Sequence, residues 1–391
     1  MTIEAGKEAS DHGRIRLGMV GGGQGAFIGA VHRIAARIDD QFELVAGALA
    51  SDPARAKASA KELGIADDRA YGSFEEMAKA EAARADGIEA VSIVTPNHMH
   101  SPVAKAFLNA GIHVICDKPL TTTVAEAEEL VTLVRGTGKI FVVTHNYTGY
   151  PMVRQARAMV ANGDLGDIRL VQAEYLQDWL TERLEVSGQK QAAWRTDPAR
   201  SGLGGCIGDI GTHAYHLACF VTGLELDKLL AQLSTFVEGR RLDDDVQILL
   251  KWKGGAKGML WASQVAVGNE NGLTLRIYGS KAGLEWAQEN PNQLWFTPYG
   301  RPKQLLTRGG AGAFSEAGRV TRIPSGHPEG YLEGFATIYA EAARAIRAAR
   351  AGEKPDREVI FPTVEDGLSG MKFIDAAVKS SERGGAWIQM T

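Results

Sequence analysis

An aspartate and a histidine stand four residues apart, as Asp209 and His213, in a glycine-rich stretch of the chain, residues 204–216. If this stretch is helical, both side chains lie on one face of the helix and can reach one substrate. A histidine side chain has an unperturbed pKa of about 6.5, so its neutral ring can accept a hydroxyl proton near neutral pH. The spacing therefore predicts acid–base chemistry, with a surface pair or a helix-end cap as the structural alternative.

A lysine that can assist this chemistry follows a predicted strand. Residues 112–115 form an apolar run, and the chain then continues through Asp117, Lys118 and Pro119. Ligands of doubly wound parallel sheets bind beyond the carboxyl ends of the strands, and the fixed φ of Pro119 holds the backbone there. Lys118 is therefore placed to hydrogen-bond a reacting oxygen and to stabilise the negative charge that develops on it. An exposed loop lysine is the alternative that position alone leaves open.

The element that must position a cofactor for these groups lies near the start of the chain. Residues 15–20 are apolar and lead into the glycine-rich run 21–26, after which apolar residues recur at helical spacing. A second predicted strand, residues 42–49, follows at the distance of a βαβ unit. Glycine lets the backbone turn sharply and approach a pyrophosphate, whose charge is stabilised by the free N–H groups of a helix start. The pattern predicts a dinucleotide-binding site.

The choice between NAD and NADP stays open from the sequence. The dinucleotide fingerprint expects an acidic residue at the end of the second strand for the ribose 2′-hydroxyl. Here residues 50–55 read Ala-Ser-Asp-Pro-Ala-Arg. Ser51 leaves room for a 2′-phosphate that Arg55 could pair with, whereas Asp52 could serve NAD in a slightly different register. A solvated Arg55 in the first turn of a helix is the alternative.

A further polar cluster follows the buried-strand pattern of residues 87–94. It runs from Thr95 to His100 and belongs at the same crevice, because it follows the carboxyl end of a predicted strand. His98 and His100 lack a neighbouring cysteine or carboxylate, so their spacing does not predict a metal site. We expect structural or cofactor-edge roles for this cluster and no bound metal.

The pattern changes after Tyr147, where we place the domain boundary. A helix and an alternating strand, residues 168–175, lead to a polar and aromatic region that contains Gln177, Asp178 and Trp194. Aromatic faces beside hydrogen-bonding groups suit a polyhydroxylated ligand, and packing of tryptophan in a core is the alternative. Strand patterns between residues 229 and 279 are typical of an antiparallel meander.

These patterns predict two domains after a flexible N-terminal extension, residues 1–14. The first is an α/β Rossmann domain with a parallel sheet, residues 15–147, and the second is an α+β domain with a large open antiparallel sheet, residues 148–391. A chain of 391 residues is long enough for two cores.

Composition indicates which kinds of partner the protein binds. The net charge of −4 gives no basic field, which argues against nucleic acid and favours a small-molecule partner. No apolar run approaches the ~20 residues that a membrane span needs, and residues 1–14 are too polar for a signal peptide. The three cysteines are far apart, which fits a reducing compartment. We therefore predict a cytoplasmic protein with no membrane partner.

Two motifs together, residues 117–119 and residues 208–213, resemble those of the glucose-fructose oxidoreductase, inositol dehydrogenase and rhizopine catabolism (Gfo/Idh/MocA) family. The resemblance covers roughly residue 15 to the C-terminus. Residues 175–179, Tyr-Leu-Gln-Asp-Trp, look like those of members that act on inositols and anhydrosugars such as levoglucosan. Further supporting motifs are Gly21-x-Gly23, Thr95-Pro96-Asn97-x-x-His100, Ala110-Gly111-Ile112-His113-Val114, Trp194-Arg195, Gly279-Ser280-Lys281-Ala282-Gly283 and Asp366-Gly367-Leu368.

The resemblance implies an NAD- or NADP-dependent dehydrogenase of a cyclic sugar, anhydrosugar or inositol, assembled as a homodimer or homotetramer. It assigns catalysis to Lys118, Asp209 and His213. The residues implied at the cofactor are Gly21, Gly23, Gln24, Ala26, Ser51, Arg55, Thr95, Pro96, Asn97, His100, Asp117, Lys118, Asn146, Trp194 and Arg195. Those implied at the substrate are Lys118, Tyr147, Gln177, Asp178, Trp194, Asp209 and His213.

The chain departs from the family pattern at two places. Asp117 stands where the motif usually has a glutamate, and Thr148 and Gly149 stand where many members have two arginines, so a basic contact is lost there. Reduction of a ketone would use the same residues as oxidation of an alcohol. An NAD-dependent glycosidase that oxidises its sugar transiently is the alternative activity. A nucleotide-sensing regulator is disfavoured because all three catalytic-type residues are present.

Overall fold

The computed structural model describes residues 13–390, and the chain folds into two compact units. The first unit comprises the chain up to Thr121, Ala125–Gly149 and Tyr331–Leu368. The second comprises Thr122–Val124, Tyr150–Gly330 and the chain from Ser369 onward. Of the extension predicted for residues 1–14, all but the last two residues lie outside the described part. The division predicted after Tyr147 stays a prediction.

The first unit is built on a parallel sheet with the strand order β2-β1-β3-β4-β5. Within the described residues its strands are β1 (Ile15–Gly21), β2 (Phe42–Ala48), β3 (Ala90–Val94), β4 (His113–Cys116) and β5 (Phe141–Val143). The helices between these strands are α1 (Phe27–Ile38), α2 (Pro53–Glu62), α3 (Phe74–Ala83), α4 (His100–Asn109) and α5 (Val124–Thr137). Ala70 forms an isolated parallel bridge with Gly47 on the outer side of β2, which completes the strand order of a Rossmann fold. The predicted parallel sheet is confirmed.

The register of this sheet aligns the carboxyl ends of its strands. Gly21 pairs with Val94, and Cys116 pairs with both Ile93 and Val143. Strands β3, β4 and β5 are buried along their whole length, as continuous apolar runs require in a sheet covered on both faces. The segments that follow β1, β3, β4 and β5 therefore meet at one edge of the sheet.

A late helix completes the core of the first unit. Helix α11 (Tyr331–Arg350) packs Phe335 and Ile338 into the same apolar cluster as β1 and α1. The hydroxyl of Tyr339 lies 2.9 Å from Nδ1 of His32 and 3.0 Å from Oγ of Ser92. Burial lowers the pKa of His32 to about 4, so its ring stays neutral in the core.

The second unit contains a nine-stranded sheet, counted over the described residues, in the order β13-β12-β11-β10-β6-β9-β8-β7-β14. The first part of its chain forms α6 (Pro151–Ala161), β6 (Ile168–Leu176), the short α7 (Lys190–Arg195) and α8 (Pro198–Ser201), then α9 (Thr212–Thr222). The strands that follow are β7 (Leu226–Ser234), β8 (Asp245–Trp252), β9 (Lys257–Ser263), β10 (Gly272–Gly279), β11 (Ala282–Ala287), β12 (Gln293–Pro298) and β13 (Gln304–Thr307). The last elements are α10 (Ser315–Gly318), α12 (Val364–Glu382), which belongs to this unit from Ser369 onward, and β14 (Ile388–Gln389).

The large open sheet of the predicted α+β domain is confirmed, with one difference in its order. The sequence patterns predicted an antiparallel meander between residues 229 and 279, but β6 lies between β9 and β10 and pairs with β9 in parallel. Burial alternates along β8 and β10 because one face of the sheet packs on helices. Alternation specifies which face is buried and does not specify which strands are neighbours.

The three cysteines carry free thiols, and those of Cys116 and Cys206 are buried. Burial raises the pKa of both buried thiols well above the ordinary value, so they stay protonated and behave as small apolar side chains. Across the described residues, every helix is too short or too polar to cross a lipid bilayer.

Candidate active site

The shared edge of the first sheet gathers most of the residues predicted at the cofactor. The glycine turn follows β1, residues 95–100 follow β3, Asp117 and Lys118 follow β4, and Asn146 and Tyr147 follow β5. Ligands of doubly wound sheets bind at this edge. With the segment after β2, this edge therefore brings together five segments in which the sequence predicted cofactor or substrate residues, one after each strand of the sheet.

The turn after β1 is shaped for close approach by a ligand. Gly21, Gly22 and Gly25 have φ values of 79°, 72° and 74°, which favour glycine. A Cβ on Gly23 would lie 2.6 Å from the carbonyl oxygen of Leu49. The turn has no room for a side chain at Gly21, Gly22 or Gly23, so a ligand can approach its backbone closely. The backbone N–H groups of Gly23 and Gln24 donate within the protein, to the carbonyl oxygen of Leu49 and the hydroxyl of Ser59.

A cleft of about 670 Å³ opens at this turn. Ala26 precedes α1, and no described side chain caps the N–H groups at the start of that helix. Such uncapped N–H groups stabilise the negative charge of a phosphate. The side chains and backbone that line the cleft come from Gly23, Gln24, Gly25, Ala26, Phe27, Ala30, Arg33, Ser59, Glu62 and Leu63.

Arg55 lies beside the glycine turn. Its Nη2 donates to the carbonyl oxygen of Gln24 at 2.5 Å, and its side chain is exposed. Asp52 caps α2, since its Oδ1 accepts from the backbone N–H of Arg55 at 2.7 Å. Ser51 is exposed between β2 and α2. The guanidinium of Arg55 and the hydroxyl of Ser51 are therefore exposed to a ligand here, whereas the carboxylate of Asp52 is hydrogen-bonded to the start of α2.

The segment after β3 presents buried polar atoms. Oγ1 of Thr95 and Nδ1 of His98 have no hydrogen-bond partner among the described residues, although both atoms are buried. Buried polar groups in native proteins are almost always satisfied, so such atoms indicate the place of a bound molecule. Pro96 is half-buried and Asn97 is buried in the short turn between them.

His100 ties two of the strand-end segments together. Its Nδ1 lies 2.8 Å from the carbonyl oxygen of Pro119, and its Nε2 lies 2.9 Å from that of Thr95. Burial lowers the pKa of His100, and a neutral ring donates one proton at a time. The imidazole is fully buried, so any part it has in cofactor binding is to hold these segments.

Asp117 fixes the backbone that carries Lys118. Its Oδ1 accepts from the backbone N–H of Lys118 and from the Thr144 hydroxyl, both at 2.9 Å. Asp117, whose side chain is one methylene shorter than the usual glutamate, therefore stabilises the turn that contains Lys118 and links the ends of β4 and β5. Lys118 is half-buried, and its peptide bond to Pro119 is cis.

Asn146 and Tyr147 are buried directly after β5. Nδ2 of Asn146 is buried and has no hydrogen-bond partner in the described part of the chain. With Thr95 and His98, this amide is the third buried polar atom at the sheet edge that a ligand could satisfy. The uncapped helix start, the glycine cradle and these atoms together fit a bound dinucleotide.

The predicted acid–base pair lies in the second unit, at the start of α9. Residues Ile207–Gly211 form a π-helical turn that continues into α9, and Asp209 lies in this turn. Short π-helical segments are frequent at functional sites. His213 lies on the first turn of α9 and is 8% exposed, with its ring centroid 6.2 Å from that of Tyr175.

Gln264 and Arg195 contact the carboxylate of Asp209. Nε2 of Gln264 donates to its Oδ2 at 2.8 Å, and Nε of Arg195 forms an ion pair with the same oxygen at 3.2 Å. The guanidinium of Arg195 also lies 4.3 Å from the ring of Trp194. Arg195 therefore links Trp194 to the carboxylate of Asp209.

The remaining predicted substrate residues lie at the end of β6. Gln177 donates from Nε2 to Oδ1 of Asn271 at 2.9 Å and accepts from Nε1 of Trp179 at 3.1 Å. Asp178 accepts from the backbone N–H of Gly268 at 3.0 Å. These bonds join the end of β6 to the segment between β9 and β10.

Sequence reasoning missed three residues of this unit: Gln264, Asn271 and Asp243. The carboxylate of Asp243 accepts two N–H bonds from the residues that precede Asp209. Burial raises its pKa to about 6, although the bonds from Ile207 and Gly205 act in the opposite direction. The signal for Asp243 was the run of three aspartates, residues 243–245, the last of which begins β8. Nothing near Gln264 in the sequence indicates a role.

No group of three or more His, Cys, Asp and Glu side chains arranged to hold a metal ion occurs among the described residues. A Rossmann sheet with a glycine turn, followed in the same chain by a candidate acid–base pair in the second unit, is typical of a dinucleotide-dependent oxidoreductase. Residues 15–156 match the oxidoreductase family with an NAD-binding Rossmann fold, and residues 153–285 match the GFO/IDH/MocA C-terminal domain. The chain belongs to the Gfo/Idh/MocA family, and residues 15–156 form its NAD-binding Rossmann domain.

Solved and curated proteins similar to this chain agree with that assignment. An oxidoreductase from Sinorhizobium meliloti is 60% identical with a TM-score of 0.89, over 97% of this chain and 100% of that one. An inositol dehydrogenase homolog from Azotobacter vinelandii, complexed with NADH and myo-inositol, is 36% identical with a TM-score of 0.90, over 96% and 98%. Levoglucosan dehydrogenase from Pseudarthrobacter phenanthrenivorans is 29% identical over 72% of this chain and 75% of its own length.

Proposed function

We propose that this oxidoreductase transfers a hydride between NAD and a secondary alcohol or ketone of an inositol, a cyclic sugar or an anhydrosugar. The observation that carries the proposal is the pair Asp209 and His213 at the start of α9, with the carboxylate of Asp209 held by Gln264 and Arg195. The similarity to an inositol dehydrogenase homolog bound to myo-inositol supports the substrate class. The similarity to levoglucosan dehydrogenase extends it to anhydrosugars.

The residues take separate roles in this proposal. NAD, when bound, supplies the hydride acceptor. His213 accepts the proton of the substrate hydroxyl, a contribution that is typically worth about 10² to 10⁴ in rate. Asp209 orients the substrate or the imidazolium, and Lys118 hydrogen-bonds the reacting oxygen and stabilises its negative charge. Tyr147, Gln177, Asp178 and Trp194 complete the proposed substrate contacts.

Replacement of the base tests the catalytic assignment. A screen of inositols, aldoses and anhydrosugars, read at the nicotinamide absorbance, first identifies a substrate. We then expect His213→Ala to lower kcat about 10²- to 10⁴-fold, while NADH affinity measured by fluorescence titration is unchanged. His216→Ala, one turn further along the same helix, is the matched control and should retain most of the activity. Near-wild-type turnover in His213→Ala would remove His213 from the role of base.

The same assay separates the dehydrogenase from its alternatives. A dehydrogenase accumulates NADH in proportion to the substrate consumed. A glycosidase that oxidises its sugar transiently releases a free sugar from a glycoside with no net NADH, and a regulator gives neither product.

We also propose that the protein assembles as a homodimer or homotetramer through the open face of the large sheet. Apolar side chains are exposed on its strands, among them Leu249, Met259 and Trp261. A contiguous exposed apolar patch favours a protein–protein contact.

A further inference from the structure

Asp243 lies in the segment between β7 and β8 and reaches the start of the helix that carries the acid–base pair. Its Oδ1 accepts from the backbone N–H of Gly205 at 2.6 Å, and its Oδ2 accepts from that of Ile207 at 2.8 Å. Its backbone carbonyl accepts from the N–H of Cys206 at 2.9 Å. One residue therefore satisfies three successive N–H groups at the beginning of this helix, where no intrahelical acceptor exists.

The bonded segment leads directly to Asp209. The backbone N–H of Asp209 donates to the carbonyl oxygen of Gly205 at 2.9 Å, so the peptide that Asp243 holds is also the first acceptor of the π-helical turn. A Cβ on Gly205 would lie 2.3 Å from the carbonyl oxygen of Asp243. Only glycine allows this close approach at position 205. Because Gly205 has no side chain to restrict its backbone, we infer that the hydrogen bonds to Asp243 hold it in place.

We propose that Asp243 is a positioning residue for the acid–base pair. Its carboxylate fixes the first residues of the helix and so determines where Asp209 and His213 point. The inference rests on the proposed function for its catalytic consequence. The claim that Asp243 holds the helix start depends only on its hydrogen bonds to residues 205–207.

The chemistry of the carboxylate makes the role sensitive to an isosteric change. A carboxylate offers two acceptor oxygens, and each accepts one N–H bond here. Asparagine offers one oxygen and an NH₂ group, so in Asp243→Asn one N–H would face a donor and lose its partner. A misplacement of about 1 Å can cost about 10²-fold in rate, so a small shift of the helix start is enough to affect turnover.

The neighbouring aspartate supplies a matched control. Asp244 is fully buried, and its carboxylate accepts from the backbone N–H groups of Phe236 at 2.8 Å and Val237 at 3.0 Å. It also pairs with Arg240 at 3.1 Å. In the part of the chain that the structure describes, this carboxylate bonds to no residue between 204 and 222. Asp244→Asn therefore matches the chemistry and burial of Asp243→Asn without touching the helix start.

The experiment compares both variants in the full chain. Hydrogen exchange by mass spectrometry follows peptides that cover residues 204–216, and steady-state kinetics follow kcat, KM and NADH affinity. We expect Asp243→Asn to speed exchange in these peptides and to lower kcat at least about tenfold, with NADH affinity changed less than twofold. Asp244→Asn should lower Tm while exchange in these peptides and kcat stay close to wild type.

Two outcomes would overturn the inference: unchanged exchange over residues 204–216 in Asp243→Asn, or an equal loss of kcat in both variants. Absence of wild-type turnover with every substrate would count against the proposed function, and the exchange arm would still decide whether Asp243 holds the helix. If Asp243→Asn is not recovered folded, Asp243→Glu keeps both oxygens but adds a methylene. It should fold and still show reduced kcat.

Discussion

Arg55 and Asp52 are the charged residues predicted at the adenosine end of the cofactor site. Asp52 is engaged as the cap of α2, and the Arg55 guanidinium lies beside the glycine turn at the carbonyl of Gln24. A guanidinium at this place can pair with a 2′-phosphate, while NAD offers only a hydroxyl there. The protein is NAD-binding, so Arg55 bears on how much NADP it also tolerates.

We expect Arg55→Ala to weaken NADPH binding about tenfold and NADH binding less than twofold, because only NADPH carries the phosphate that the guanidinium would pair with. Fluorescence titration of both reduced cofactors measures this ratio. Arg37→Ala, which removes another exposed arginine of the same unit, is the control. Equal weakening of both cofactors would show that Arg55 supports the turn and does not read the 2′ position.

At this scale the sequence predicted the residues that belong to short motifs and missed their distant partners. Lys118, Asp209 and His213 could be picked because strand ends and helical spacing are local patterns. Asp243 lies 36 residues from Ile207, and Gln264 lies 55 residues from Asp209. Their roles depend on which strands the fold places beside α9, and no local pattern encodes that.

Among the elements, we expect cofactor binding to depend most directly on the glycine turn between β1 and α1. We expect Gly23→Ala to weaken NADH binding at least about tenfold, because its Cβ would lie 2.6 Å from a backbone carbonyl and would push the turn away from the pyrophosphate. Fluorescence titration measures the loss. Gly136→Ala in α5 is the control, since a Cβ there meets nothing within 4 Å and alanine favours a helix. Unchanged affinity in Gly23→Ala would contradict the role of this turn.

Among elements, the sequence predicted strands and helices well and predicted sheet order less well. Periodicity identified β1 to β4 and helix α1 because each βα unit is local, and right-handed crossovers leave few strand orders open. The position of β6 between β9 and β10 could not be read in the same way. Pairing of β6 with β9 joins segments about 90 residues apart, and its driving force is burial of a shared face.

At the scale of the whole molecule, the proposed assembly depends on the open face of the large sheet. Leu249 and Met259 are directly paired on β8 and β9 and are 45% and 56% exposed. We expect the double variant Leu249→Lys with Met259→Lys to shift the protein to monomers in sedimentation velocity, because like charges would repel across the interface. Tyr299→Lys, at a residue 90% exposed in the turn after β12, should leave the assembly unchanged. A monomeric wild type would refute the proposal.

The apolar core of the first unit can be completed only late in synthesis, because helix α11 follows most of the second unit along the chain. Phe335, Ile338 and Tyr339 complete the apolar cluster around β1 and α1, yet the ribosome makes them about 300 residues later. Domains generally fold as they emerge, N-terminal first. Here the nucleotide-binding sheet must wait, with part of its core uncovered, while most of the second unit is translated. The nascent chain therefore passes through a stage in which the apolar side chains that α11 later covers have no native partner from that helix.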